Sequence, residues 1–205
     1  MSYKTDQEEF WAGEFGDNYI QRNQGAERIA ANLHFFSNAL NAARNLGSCI
    51  EFGANIGMNL KAIQLLFPNI DPHGIEINNE AAKELSSVIP PANVYSTSIL
   101  DFEPTAQYDL SLIKGVLIHI NPDELNSVYD KLDAVTSRYM LVAEYYNPAP
   151  VSISYRGHSD RLFKRDFAGE ILERHSQYRL VDYGFVYRRD PNFPQDDITW
   201  FLLEK

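Results

Sequence analysis

The stretch SCIEFGANIG, residues 48–57, decides the fold. Its first half is a short apolar run that reads as a strand, and Gly53 ends it. Residues 56–68, IGMNLKAIQLLFP, follow with helical spacing and stop at Pro68. Gly53 and Gly57 therefore sit between a strand end and a helix start. Glycine there permits tight turns and close approach of a ligand, and the helix start offers unpaired N–H groups. Two ligand classes fail at this turn. A phosphate-binding P-loop needs Lys-Ser/Thr after the last glycine, but Met58-Asn59 follows. A dinucleotide fingerprint needs glycines at 53, 55 and 58, where the chain has Gly, Asn and Met.

Outward from this turn the pattern repeats. Residues 71–78 (DPHGIEIN) are strand-like, and 78–89 (NNEAAKELSSVI) are helical with Asn78 or Asn79 as cap. Residues 93–99, 108–115 and 139–146 read as strands. Residues 122–135, PDELNSVYDKLDAV, read as a helix opening on proline and acids. A helix near 166–176 and strands at 179–187 and 198–205 complete the chain. Upstream, residues 24–46 have apolar positions at Ile29, Leu33, Phe36, Leu40 and Ala43, a helical spacing with Gly47 as its stop. Alternating strands and helices predict an α/β domain, with a mostly parallel sheet covered on both faces. Such sheets bind ligands beyond the carboxyl ends of their strands, where strand order reverses.

The totals narrow the class. At 205 residues, one domain is expected, with a helical region over 1–46 and the α/β core over 48–205. Net charge is −10, which argues against a nucleic-acid partner. The charge is uneven: residues 1–150 hold 9 Lys+Arg against 19 Asp+Glu, whereas 151–205 hold 9 against 9. The basic residues of that last quarter suit an anionic small molecule. No run is long and apolar enough to span a bilayer, so no membrane partner is expected. The amino-terminal MSYKTDQEEF lacks the basic-then-apolar order of a signal peptide, so a cytoplasmic location is expected. The single cysteine, Cys49, excludes an internal disulfide and lies in an apolar run as a core residue. No clustered ligand set points to a metal.

The first turn resembles the first motif of class I S-adenosylmethionine (SAM)-dependent methyltransferases, an acid two residues before G-x-G-x-G. Glu51 is the acid and Gly53 and Gly57 the outer glycines. Asn55 replaces the middle glycine, and asparagine tolerates positive φ better than other non-glycine residues. The resemblance implies a Rossmann-like fold with a seven-stranded sheet and SAM as cofactor. Glu76, 19 residues after Gly57 and followed by Ile77, matches the acid that takes the ribose hydroxyls; a carboxylate accepts both protons. Ser98 and Ile99 match the adenine segment, where the family often has Asp at the serine position. Lys114 and Gly115 match the fourth motif and would lie along the methionine part. His119, just beyond, and Glu144, ending the fifth strand, are candidate bases if the acceptor must lose a proton.

The whole chain resembles the pseudaminic acid biosynthesis-associated methylase family. The resemblance rests on TDQEEFWAGEFGDNYIQRN, EFGANIGMNLKAI, GIEIN, KGVLIHINPDEL and EYYNPAPVSISYRGHSDRLFKRDFAGEI. It implies methyl transfer to an anionic sugar or nucleotide-sugar in nonulosonic acid or surface-glycan biosynthesis. Tyr146, Tyr155, Arg156, His158, Arg161 and Arg165 are the candidate acceptor residues, because arginine pairs carboxylate or phosphate in bidentate fashion. RNA is a competing occupant of the same cations, disfavoured by the overall charge. Near the start, Trp11, Phe15 and Tyr19 recur every four residues and would share one helix face. That face reads as a lid over the cofactor, with Tyr19 and Arg22 nearest the methionine carboxylate. A docked helix with packing aromatics is the alternative. A non-catalytic SAM-binding protein and an NAD(P)-dependent oxidoreductase are the alternatives for function.

Overall fold

The computed structural model describes residues 3–20, 25–155 and 158–205; for 154, 155 and 158–161 it describes the backbone alone. Two short helices, α1 (Asp6–Ala12) and α2 (Glu14–Ile20), precede α3 (Ala26–Ala39). The chain then alternates through β1 (Ser48–Phe52), α4 (Met58–Leu66), β2 (Asp71–Glu76), α5 (Asn79–Leu85), β3 (Val94–Ser96), β4 (Tyr108–Lys114), α6 (Leu125–Val135) and β5 (Thr136–Glu144). It ends with β6 (Val151–Tyr155), β7 (His158–Lys164), α7 (Phe167–Arg174), β8 (Arg179–Val186) and β9 (Ile198–Glu204).

Seven strands form one sheet in the order β3-β2-β1-β4-β5-β9-β8. The first five are mutually parallel, and β9 and β8 are antiparallel additions. Residues alternate across the sheet, so Cys49, Leu110, Leu112 and Leu141 meet α3 and α4 on one face. Ile50, Phe52, Ile113 and Val142 meet α6 and α7 on the other. Strand order reverses between β1 and β4, which opens the crevice at their carboxyl ends.

Two expectations change. The helix read over 24–46 stops at Ala39, where Ser37 Oγ and Asn38 Nδ2 turn back to the His34 carbonyl and compete with the helical ladder. Trp11, Phe15 and Tyr19 lie on two helices, not one, because the chain turns at Gly13 and α2 folds back on α1. That corner closes only on glycine: a Cβ on Gly16 would stand 2.0 Å from the Trp11 carbonyl oxygen. The rings still meet edge-on, with centroids of Trp11 5.3 Å from both Phe15 and Tyr19. The sequence assigns no element between residues 147 and 165; there the chain forms the β6–β7 hairpin, a two-stranded sheet separate from the main one.

Candidate functional site

A cavity of about 220 Å3 lies over the carboxyl ends of β1, β2 and β4, with α1 and α2 as its outer wall. Its floor begins at the turn after β1. Asn55 is left-handed there, at φ 47°, and Gly57 follows at φ 80° as the residue capping α4. Gly53, at φ 75°, is the third left-handed residue of this turn, and the glycines keep side chains out of the backbone's approach to the cavity.

Glu76 ends β2 and faces this turn with 8% of its surface exposed. Its Oε2 accepts the Asn55 N–H at 2.7 Å, and its Oε1 accepts the Asn78 N–H at 2.7 Å. Burial pushes the carboxyl above its usual range, while the N–H groups of Asn78, Asn55 and Ile77 pull it back. Each oxygen uses one lone pair on the backbone, which leaves acceptor capacity on both. The carboxylate is thus fixed by two loops and still able to take two hydroxyl donors.

Ser98 and Ile99, in the turn after β3, form the neighbouring wall. The Ser98 hydroxyl bonds Glu8 Oε1, and its oxygen accepts the Leu100 N–H at 3.0 Å. Glu8 was not picked out from sequence. It caps α1 by accepting from Lys4 and Thr5 N–H at 2.7 and 2.9 Å, so one carboxylate both starts the helix and ties it to the β3 turn. Two more ties hold the outer wall: Lys4 Nζ to Asp101 at 2.7 Å, and Asn78 Nδ2 to Asp17 at 2.8 Å.

At the other end lies Lys114, the last residue of β4, with Gly115 after it at φ 69°. Burial drives the lysine amine down to about 8, opposed by the Glu51 carboxylate. Glu51 is fully buried and does not line the cavity. Burial pushes it up to about 8; its Oε1 accepts from Asn59 at 2.6 Å and its Oε2 has no partner. Arg28 of α3 and Asp196, neither read from sequence, complete this charged end.

His119 lies between the two ends, buried, with its ring centroid 4.7 Å from that of Trp11. It belongs to a short turn, Leu117–His119, held from below by Glu144. Glu144 Oε1 accepts the N–H groups of Val116 and Leu117, each at 2.9 Å. Its own environment, fully buried with Oε2 unpartnered, pushes it up to about 7. Glu144 does not line the cavity, so its hold on the cavity runs through that turn.

Trp11 and Tyr19 line the cavity with Glu76, Ile77, Gly53 and Asn55; Gly57 lies one step outside, beneath Leu85. Arg22 and Arg156 lie outside the described residues, as do the side chains of Tyr155, His158 and Arg161. The hairpin that carries these last three packs beside the Leu117–His119 turn. Tyr146 and Arg165 do not reach the cavity. They bridge each other between β5 and β7, and Arg165 pairs with Glu170 at 2.6 Å. Among the described residues no cluster of His, Cys, Asp and Glu is arranged to hold a metal, and no helix is long and apolar enough to cross a membrane.

Over its full length the chain superposes on solved methyltransferases. Magnesium protoporphyrin IX methyltransferase from Synechocystis PCC 6803, crystallised with SAM, matches with a TM-score of 0.69 at 13% identity, covering 100% of both chains. The chain has a class I methyltransferase fold. The 1,6-didemethyltoxoflavin-N1-methyltransferase of Burkholderia thailandensis matches at 0.68 and 16% identity, over 97% of this chain and 86% of that one. The plantazolicin methyltransferase BpumL, in complex with S-adenosylhomocysteine, matches at 0.65 and 14%, over 97% and 93%. No family model and no curated protein sequence matches the chain.

Proposed function

We propose that the protein is a SAM-dependent methyltransferase acting on a small molecule. The observation that carries this reading is Glu76, a carboxylate set by two backbone N–H groups at the rim of the β1 turn, with acceptor capacity left on both oxygens. A ribose diol is the ligand group that fits it. Ile99 flanks the adenine side, where Glu8 supplies a carboxylate beside Ser98. Lys114, Arg28 and Asp196 present charges of both signs, as a zwitterionic amino-acid tail requires. The fold's neighbours crystallised with SAM or its demethylated product support the same cofactor.

The cofactor, when bound, supplies an electrophilic methyl on sulfur. The chain's task is then to align the acceptor and exclude water, which is largely a matter of positioning. Trp11 and Tyr19 close the outer side as a lid. His119 stands where an acceptor proton would be received, with the imidazole held by the turn that Glu144 secures. Glu144 is a positioning residue in this scheme. The resemblance to the pseudaminic acid-associated methylases favours an anionic sugar or nucleotide-sugar as acceptor, entering past the β6–β7 hairpin.

Calorimetry with SAM and with NADH tests the cofactor. Glu76→Ala should weaken SAM binding at least tenfold, about 1.4 kcal/mol, while leaving the fold intact by circular dichroism. Unchanged affinity would remove the ribose assignment. Incubation with SAM and candidate sugars, read by mass spectrometry for a methyl gain, tests the acceptor class.

A further inference from the structure

The two edges of the sheet are built differently. At one end β3 is three residues long, a short edge of the kind that blocks further pairing. At the other end β8 runs for eight residues with no proline and, between its first residue Arg179 and Arg188, one charge, Asp182. Beyond Arg179 its exposed residues are large and apolar: Leu180 is 43% exposed, Tyr183 65%, Phe185 59% and Tyr187, just past the strand, 48%. Tyr183, Phe185 and Tyr187 alternate onto one face, where Tyr183 stacks on Phe201 of β9 with centroids 6.4 Å apart. An edge this long and this apolar is a template for another strand.

We infer that β8 pairs antiparallel with β8 of a second copy of this chain about a two-fold axis at Phe185. The sequence of the strand selects both partner and register. In a two-fold pair whose axis is perpendicular to the sheet, facing residues must share parity, so the aromatic face of one copy continues as the aromatic face of the other. Centred on Phe185, Tyr183 faces Tyr187 of the partner subunit and the two Phe185 rings meet on the axis. The same register brings Asp182, the strand's one acid, within side-chain reach of Arg188 of the partner subunit, which opens the turn after the strand, and the symmetry makes that pair twice. Arg188 is 64% exposed and 3.4 Å from its own Asp197, and its guanidinium keeps further N–H donors for a second carboxylate. Gly184, which must be glycine because a Cβ would lie 2.6 Å from the Trp200 ring, faces the branched Val186 of the partner subunit. Centring on Tyr183 or Gly184 instead leaves Asp182 facing glycine or valine. The product is a continuous sheet across two copies, with an aromatic row on one side of the seam.

Sedimentation of the full chain over its accessible concentration range tests this. The wild type should sediment as a dimer. Phe185→Lys, which sets two like charges on the axis, should raise the dissociation constant at least tenfold and keep the far-ultraviolet circular dichroism of the wild type. A second variant reads the register. Phe185→Cys should form a covalent dimer on mild oxidation and release it with reductant, whereas Leu65→Cys, exposed on α4, should not. The native Cys49 is buried and does not compete. A wild type that stays monomeric overturns the pairing. A dimer that survives Phe185→Lys, or a cross-link equally strong through Leu65→Cys, overturns it as well.

Discussion

Glu144→Gln offers the sharpest test of how the site is supported. Glu144 is fully buried beneath the Leu117–His119 turn, and burial pushes its carboxyl from near 4.5 to about 7. In the unfolded chain the group titrates at the lower value. A raised folded value means that the group's contribution is fully present below about pH 4.5 and is lost as pH rises through 7. At about 1.4 kcal/mol per pH unit the loss comes to about 3 kcal/mol. Glutamine keeps the oxygen that accepts from Val116 and Leu117 and resembles the protonated acid. The difference in unfolding free energy between wild type and Glu144→Gln, measured by urea titration from pH 5 to pH 8, should therefore move by up to about 3 kcal/mol in favour of the variant. Glu51 and Glu76 titrate in both proteins and cancel from the difference. Curves that stay parallel across this range would refute the buried-carboxylate reasoning.

Two further outcomes concern the outer wall. Gly16→Ala sets a methyl against the Trp11 carbonyl, so the α1–α2 corner should open: amide exchange over residues 6–20 should rise at least tenfold and SAM affinity should fall, with the melting of the core little changed. Unaltered exchange would show that the corner tolerates the methyl. Glu8→Ala removes the acceptor for two backbone N–H groups and for Ser98, a cap whose loss costs about 1 kcal/mol; exchange of the α1 amides should accelerate about fivefold, and equal rates would remove Glu8 as a tie.

The parts of this molecule that were legible in sequence are those where local and global demands coincide. The β1 turn announces itself because tight backbone needs Gly53 and Gly57, and Asn55 takes the left-handed conformation its residue type allows. Glu76 was legible because the second strand ends on an acid 19 residues after Gly57, at the spacing of the resemblance. Glu8, Arg28 and Asp196 were not, because a polar residue on an amphipathic helix or a loop looks the same whether it faces water or a cavity. Glu144 was noticed but its direction was not. Strand alternation gives a face, and only the turn above it shows that the carboxyl is spent on N–H groups of Val116 and Leu117. The β6–β7 hairpin went unread although VSISY alternates. Period-2 spacing over five residues is a weak signal, and the cations after it point to an anionic ligand rather than to any one element.

Trp11 has one further consequence. The chain contains two tryptophans. Trp200 is packed in the sheet away from the cavity, while Trp11 lies against the His119 imidazole. An indole beside an imidazole loses fluorescence when that ring gains a proton. The molecule therefore carries an intrinsic optical probe in the wall of its cavity, and its emission can be followed without any label.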